Sequence, residues 1–369
     1  MKHPHEGLEG TGKGIRFLLA AACFVVVVAG LKLADTIITT FLLSLFLAML
    51  AIPPMRKLQD KGVPAGLAVL IVFLGLMAIF SLVGLLVGES LNQFLLALPT
   101  YRNILEQRVS EYVGPLRQLM VEQGMIPHDF DLLKSFEFSS VAGPALEVVR
   151  TTLSGLAVIF SNVVIVLLTT VFILLEATGF PKKAEVAMLQ MGLRRGALDR
   201  FSNITRQVRD YLVIKTLVSI ATGFLLGFWC WAWGVDFAFL WGLLAFLLNY
   251  IPNIGSIIAA IPPLGLALVD GGVGTAFGIV TGYVAVNMLL GNVLEPRLMG
   301  QRLGLSSLVV LLSLVFWGYV WGGLGMLLSV PLTMIVKILA ENSPDFRWVG
   351  TLLSSAESVP EPEDGQLSG

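Results

Sequence analysis

The stretch Trp241-Gly242-Leu243-Leu244-Ala245-Phe246-Leu247-Leu248-Asn249-Tyr250-Ile251-Pro252-Asn253-Ile254-Gly255-Ser256, running on to Ala260-Ile261-Pro262-Pro263, decides how this chain is read. Two amides, a tyrosine, a proline, a glycine and a serine sit together between short apolar segments. Pro252 removes a backbone donor and disfavours helical geometry at Ile251. Gly255 permits a sharp change of direction. The flanking segments, Phe237 to Ile251 and Ser256 to Val269, each fall short of the roughly 20 residues a helix needs to cross a bilayer. In lipid, non-helical backbone is tolerated only where it is buried in protein or lines a wet cavity. Half-length arms around a polar turn therefore favour a re-entrant or broken-helix hairpin. An ordinary loop at the membrane surface is the other reading.

The rest of the chain makes lipid its solvent. Of 369 residues, 56% are hydrophobic and 13% charged, against roughly 25% charged in an ordinary soluble domain. That excludes a disordered chain and argues against a soluble enzyme. With 24 Lys+Arg against 25 Asp+Glu and a net charge of −1, there is no global attraction to nucleic acid. Between Tyr211 and Ala340 only seven charges occur: Lys215, Asp236, Asp270, Glu295, Arg297, Arg302 and Lys337. The chain reads as an all-α, polytopic helical membrane protein of about eight spans, with re-entrant or broken-helix hairpins and a small extramembrane helical segment. Cys23 and Cys230 lie in apolar runs and cannot build a disulfide framework or a four-ligand zinc site.

Five regions are expected: a flexible N-terminus (1–14), N-terminal spans (15–90), an extracytoplasmic helical segment (91–150), a transport core (151–353) and a disordered acidic tail (354–369). Lys32 and Asp35 divide the first apolar block into two short spans joined by a tight turn. Arg56, Lys57 and Lys61 oppose Asp60 alone in the next loop. Between Glu176 and Lys215, eight basic residues face four acids. Both loops, and with them both termini, are expected in the cytoplasm of a multi-pass cell inner-membrane protein. Glu89 to Arg150, with eight acids and five bases, is expected outside. Residues 194–212 form an amphipathic helix, with Phe201, Ile204, Val208, Tyr211 and Leu212 on one face. It either positions the next span or moves as a coupling element.

Few motifs carry chemistry. Gly7 to Lys13 imitates a phosphate-binding loop, but Gly14 stands where Ser or Thr is required and no strand precedes it. His3, His5 and His128 lie outside the expected spans. No catalytic residue, metal site or cofactor is expected. A second elbow, Trp317-Gly318-Tyr319-Val320-Trp321-Gly322-Gly323-Leu324-Gly325, is followed by Pro331. Paired Gly/Pro-interrupted short segments point to a transporter's binding site. The substrate path is therefore placed at Asn249, Tyr250, Pro252, Asn253, Gly255 and Ser256, with Asn287 and Asn292 from the following span. Asn287, Gly291 and Glu295 recur at four-residue spacing, as if on one helical face. Glu295 and Arg297 are candidates for an ion or proton relay, or they pair with each other at the interface. Asp236, Asp270 and Glu176 are further relay candidates.

Trp241-Gly242, Asn249 to Gly255, Pro262-Pro263, Gly291-Asn292-Val293-Leu294-Glu295-Pro296-Arg297, Gly304-Leu305-Ser306 and Gly325 to Pro331 resemble the autoinducer-2 exporter family of membrane permeases. The resemblance implies export of a small polar quorum-sensing signal, autoinducer-2. Sodium/proton antiport, also linked to members of that family, is the alternative, and a non-transport membrane scaffold is a third reading. Expected partners are the lipid bilayer and a small-molecule or ion substrate. Gly223, Gly227, Gly278 and Gly282 would allow close helix packing, between copies in a homo-oligomer or within one protomer.

Overall fold

The computed structural model describes residues 6–123, 162–190, 196–252, 254–299, 304–343 and 346–355. Asn253, the part of the expected extracytoplasmic segment beyond residue 123, and the acidic tail from residue 356 lie outside them. The described residues form helices and no β-strand; Leu305 and Ser354 make one isolated bridge. Five helices are long and apolar enough to cross a membrane, and four shorter apolar helices accompany them. This is a polytopic α-helical membrane protein.

Helix α1 (Glu6–Leu33) begins before Gly7 and runs through the Gly7–Lys13 stretch, so no phosphate loop exists there. A one-residue turn at Ala34 leads to α2 (Asp35–Asp60), matching the tight turn that Lys32 and Asp35 mark in the sequence. Pro53 and Pro54 lie inside α2, tolerated because neighbouring groups in a membrane bundle re-satisfy the freed carbonyls. Helix α3 (Ala65–Glu122) is continuous for 58 residues, about 87 Å at 1.5 Å per residue. It therefore projects well beyond one bilayer face. Helix α4 (Val163–Gln190) packs on α2 and α3.

Helix α5 (Gly196–Ala232) joins the expected amphipathic segment and the next span into one continuous rod. It organises the remaining core. At its C-terminal end, Tyr101 of α3 donates to Asp236 at 2.6 Å, and Trp229 donates to the Gly278 carbonyl at 3.0 Å. At the opposite end, Arg209 and Asp210 share a cleft with Arg56 of α2. These are called the Asp236 end and the Arg56 end below.

From the Asp236 end the chain enters α6 (Ala238–Leu248), reverses, and leaves through α7 (Ile254–Asp270). Their 11 and 17 residues span about 16 and 25 Å, short of the roughly 30 Å hydrocarbon core. Helix α8 (Gly272–Val286) then descends, widens into a π-helical segment at Asn287–Leu294, and ends in α9 (Glu295–Met299). Helix α10 (Ser307–Asn342) is broken at Trp321 and Gly322 into two arms. Lys337 of its second arm donates to the Gly304 carbonyl at 2.7 Å, beside the start of the first. The arms are thus antiparallel, and this second hairpin opens at the Arg56 end. Helix α11 (Arg347–Leu353) closes the described chain.

The four glycines that could have served an interface between copies are used inside the chain. A Cβ on Gly223 would lie 2.6 Å from the Gly242 carbonyl oxygen, and one on Gly227 would lie 3.2 Å from the Gly242 Cα. Gly278 and Gly282 seat the rings of Trp233 and Trp229. Small residues here bring α5 and α6 into backbone contact and accept indoles between α5 and α8.

Candidate functional site: a polar turn against helix α5

The turn between α6 and α7 sits midway along α5. Asn249 is buried and its Nδ2 donates to Ser219 Oγ at 2.9 Å. The Tyr250 hydroxyl donates to Thr216 Oγ1 at 2.7 Å, and Thr216 in turn donates to the Leu212 carbonyl at 2.7 Å. Thr216 and Ser219 lie about 8–12 Å past Tyr211, where the apolar run of α5 begins, and about 20–24 Å from Ala232 at its other end. The surface-loop reading is therefore set aside. The turn is a re-entrant tip inside the span, nearer its Arg56 end.

Local sequence explains the reversal. The N–H groups of Asn249 and Ile251 still find carbonyls at Ala245 and Leu248, so α6 unwinds over its last turn. Pro252 offers no donor and its carbonyl accepts from Ile254, which starts α7. The chain then passes so close to itself that a Cβ on Gly255 would collide with the Leu248 carbonyl. The rings of Phe46 and Phe246 stand edge-on to Tyr250, each 5.8 Å away.

Two further polar contacts face this tip. Ser256, in the first turn of α7, donates to Asn287 Oδ1 at 3.0 Å. Lys215, one residue from Thr216, places its ammonium 2.7 and 2.9 Å from the two carboxylate oxygens of Glu295. The side chains are only 5% and 17% exposed, so this ion pair is largely withdrawn from solvent. Taking two charges out of water costs several kcal/mol per ion and is tolerable only with close pairing. Conversely, a single missing partner would leave the other charge stranded.

Several sequence expectations meet a different outcome here. Glu295 pairs with Lys215, eighty residues away, rather than with Arg297, which is exposed. Asn287 and Gly291 do lie together, since a Cβ on Gly291 would be 3.1 Å from Asn287 Oδ1. Within this π-helical segment Asn287 bonds to α7, whereas Glu295 just after it bonds to α5. Asn292 is exposed and makes no side-chain hydrogen bond to the cluster among the described residues. Glu176 pairs with Lys183 on the surface at 2.7 Å, and Asp236 is engaged by Tyr101 at one end of the bundle. No group of three or more His, Cys, Asp or Glu side chains among the described residues could hold a metal. The residue that sequence reasoning missed is Lys215. It reads as the last charge of a basic loop, although it lies four residues inside an otherwise apolar run from Tyr211.

The arrangement is a set of hydrogen-bonding groups at the depth where a spanning transporter must handle a polar cargo, bordered by one buried ion pair. Its amides and hydroxyls can both donate and accept. Comparison with known proteins agrees with a transport architecture. The chain is 38% identical over 346 residues to the AI-2 transport protein TqsA of Escherichia coli, covering 93% of this chain and 97% of that one. It is also 38% identical over 347 residues, with the same coverage, to a Haemophilus influenzae protein named "Putative transport protein". Residues 21–345 match the model described as AI-2E family transporter. A match over that much of the sequence places the chain in the AI-2E transporter family.

Proposed function

We propose that this protein is a secondary transporter that exports a small hydrophilic signalling molecule such as autoinducer-2, with the α6–α7 tip forming part of the translocation path. The observation that carries this reading is the position of the Asn249–Ser219 and Tyr250–Thr216 contacts well inside the span of α5. Polar, non-helical backbone at that depth is stable only against protein or a wet cavity. In the arrangement described, the amides and hydroxyls satisfy one another. Cargo rich in hydroxyls would exchange these bonds for its own as the tip moves away from α5. With no nucleotide-binding motif in the sequence, transport runs on gradients or is passive. The excess of basic residues at the Arg56 end supports a cytoplasmic position for it, with the α6–α7 hairpin entering from the external face.

A second reading, cation/proton antiport, is favoured by one specific feature: the Lys215–Glu295 pair beside the tip. An ionisable pair withdrawn into a membrane bundle is a functional-site hypothesis by default. Proteoliposomes containing the purified chain separate the two. Labelled autoinducer-2 flux without an imposed sodium gradient supports the first, and sodium-dependent proton movement without autoinducer-2 flux supports the second. Neither movement would return the protein to a scaffold role.

A further inference from the structure

We infer that the cleft between α2 and α5 at the Arg56 end is a binding site for the phosphate headgroup of an anionic phospholipid. The cleft has a volume of about 350 Å³, within the range of small-ligand pockets, about 300–1,000 Å³. Its walls are graded. Ile52 and Pro53 of α2 and Val213 and Ile214 of α5 are apolar, while Arg56, Arg209 and Asp210 are charged. Arg209 lies two residues before Tyr211, where the apolar run of α5 begins, and Arg56 lies four residues before the end of α2. Both guanidiniums therefore stand at headgroup level, and the apolar walls lie about one turn deeper. That order, charge at the interface and hydrocarbon below, is the order of a phospholipid.

Charge complementarity fixes the sign of the ligand. Arg209 donates to its sequence neighbour Asp210 at 3.0 and 3.3 Å. Arg56 forms no ion pair among the described residues. The cleft thus carries two guanidiniums against one carboxylate, with Lys57 and Lys61 close by in sequence. Guanidinium is the side chain best matched to phosphate oxygens, and basic pockets between spanning helices are where anionic headgroups bind. The site is distinct from the proposed path: Arg209 precedes Ser219 by ten residues, about 15 Å along α5. A bound lipid would tie α2 to the rod that carries Lys215, Thr216 and Ser219.

The purified full-length chain in detergent tests this by native mass spectrometry and thermal unfolding, with added phosphatidylglycerol, phosphatidylcholine or inorganic phosphate. Retained phosphatidylglycerol adducts and a raised unfolding temperature, neither produced by phosphatidylcholine, are expected. Arg56→Gln should weaken phosphatidylglycerol retention about fivefold. Val213→Trp, which keeps both guanidiniums and fills the cleft, should do the same. Arg347→Gln, an exposed basic position on α11, should change nothing. Equal retention of both lipids, or wild-type retention in both cleft variants, overturns the proposal. Displacement of the lipid by inorganic phosphate at equal concentration overturns it too, in favour of a soluble anion.

Discussion

The two hairpins of this molecule use the same backbone device for different ends. In the first, a Cβ on Gly255 would strike the Leu248 carbonyl; in the second, a Cβ on Gly325 would strike the Trp317 carbonyl. The same added Cβ would also lie 3.1 Å from the Cβ of the residue four positions earlier, Ile251 or Trp321. Around these matched turns the chemistry diverges. The first hairpin opens at the Asp236 end and presents Asn249 and Tyr250 to hydroxyls on α5. The second opens at the Arg56 end and presents a stack of aromatic rings to α1: Trp317 and Trp321 lie 4.9 Å apart, and Phe316 stacks on Phe24 at 6.1 Å. Backbone reversal at depth requires glycine, whereas the neighbouring side chains determine whether the tip holds polar cargo or anchors a helix.

If the two turns are built alike, they should fail alike. Gly255→Ala and Gly325→Ala force a methyl group onto a backbone carbonyl that cannot rotate away. Each is expected to cost more than about 4 kcal/mol, read as loss of monodisperse protein on size exclusion. Gly265→Ala, in α7 with nothing within 4 Å of its Cβ, should leave yield unchanged. A well-behaved Gly255→Ala protein with wild-type unfolding would break the comparison at its root.

The next effect separates the hairpins. Lys215→Met strands Glu295 in a nearly dry site and should destabilise by about 3–5 kcal/mol, whereas the paired change Lys215→Met/Glu295→Leu should recover most of that loss. Lys337→Met at the mouth of the second hairpin removes a bond to the neutral Gly304 carbonyl and a 3.4 Å contact to the half-exposed Glu341. Its cost should be nearer 1–3 kcal/mol, discounted further for solvent at Glu341. Thermal unfolding of the three variants orders them. Glu295→Gln, which keeps the side-chain size, should additionally abolish sodium-dependent proton movement if the antiport reading holds. Equal losses for Lys215→Met and Lys337→Met would mean that the Lys215–Glu295 site is as wet as the second hairpin's mouth.

Both turns were legible in the sequence because their cause is local. Short apolar arms, Pro252 and Gly255, or Gly322 and Gly325, are readable within a dozen residues. The partners of the first tip were not. Ser219 and Thr216 are ordinary in an apolar run, and only the antiparallel register of α5 and α6 brings them to Asn249 and Tyr250. Glu295 was visible as a carboxylate near a span's end, yet its partner lay eighty residues earlier in what read as a basic loop. A single Lys inside an apolar run was the available signal, and it applies to Lys337 as well. The π-helical segment Asn287–Leu294 left no mark in the sequence, where the spacing of Asn287, Gly291 and Glu295 reads as ordinary α-helix.

A third test concerns transport rather than folding. Removing Asn249 from the first tip leaves a partner unpaired on Ser219 or on the cargo, a cost of about 1–3 kcal/mol. At about 1.4 kcal/mol per tenfold, Asn249→Ala should weaken apparent affinity for autoinducer-2 roughly five- to hundredfold, measured as flux per folded protein in liposomes. Trp317→Phe in the second hairpin removes a comparable bond, Trp317 to Thr333 Oγ1 at 3.1 Å. It should lower stability slightly and leave the affinity alone. Wild-type affinity in Asn249→Ala, or a matching affinity loss in Trp317→Phe, would erase the division of labour between the tips.

The smallest effect lies where the second tip touches α1. Lys32 holds its ammonium 3.7 Å from the centre of the Tyr319 ring, and Trp321 donates to the Leu31 carbonyl at 3.0 Å. Tyr319 is well exposed, so the cation–π contact should contribute only about 0.5–1 kcal/mol. For a chain of this size Lys32→Gln should lower the unfolding temperature by about 2 °C or less. Its value lies in what it does to turnover. A tip that stays docked on α1 throughout the cycle keeps this contact in every state, so its loss shifts all states equally and flux is unchanged. A tip that leaves α1 during transport makes the contact in one state only, and Lys32→Gln would then alter turnover by a factor of about two to five, the same free energy expressed as a population. Unchanged flux with a slightly lower unfolding temperature is the expected result. It would identify the aromatic hairpin as the fixed frame against which the polar one moves.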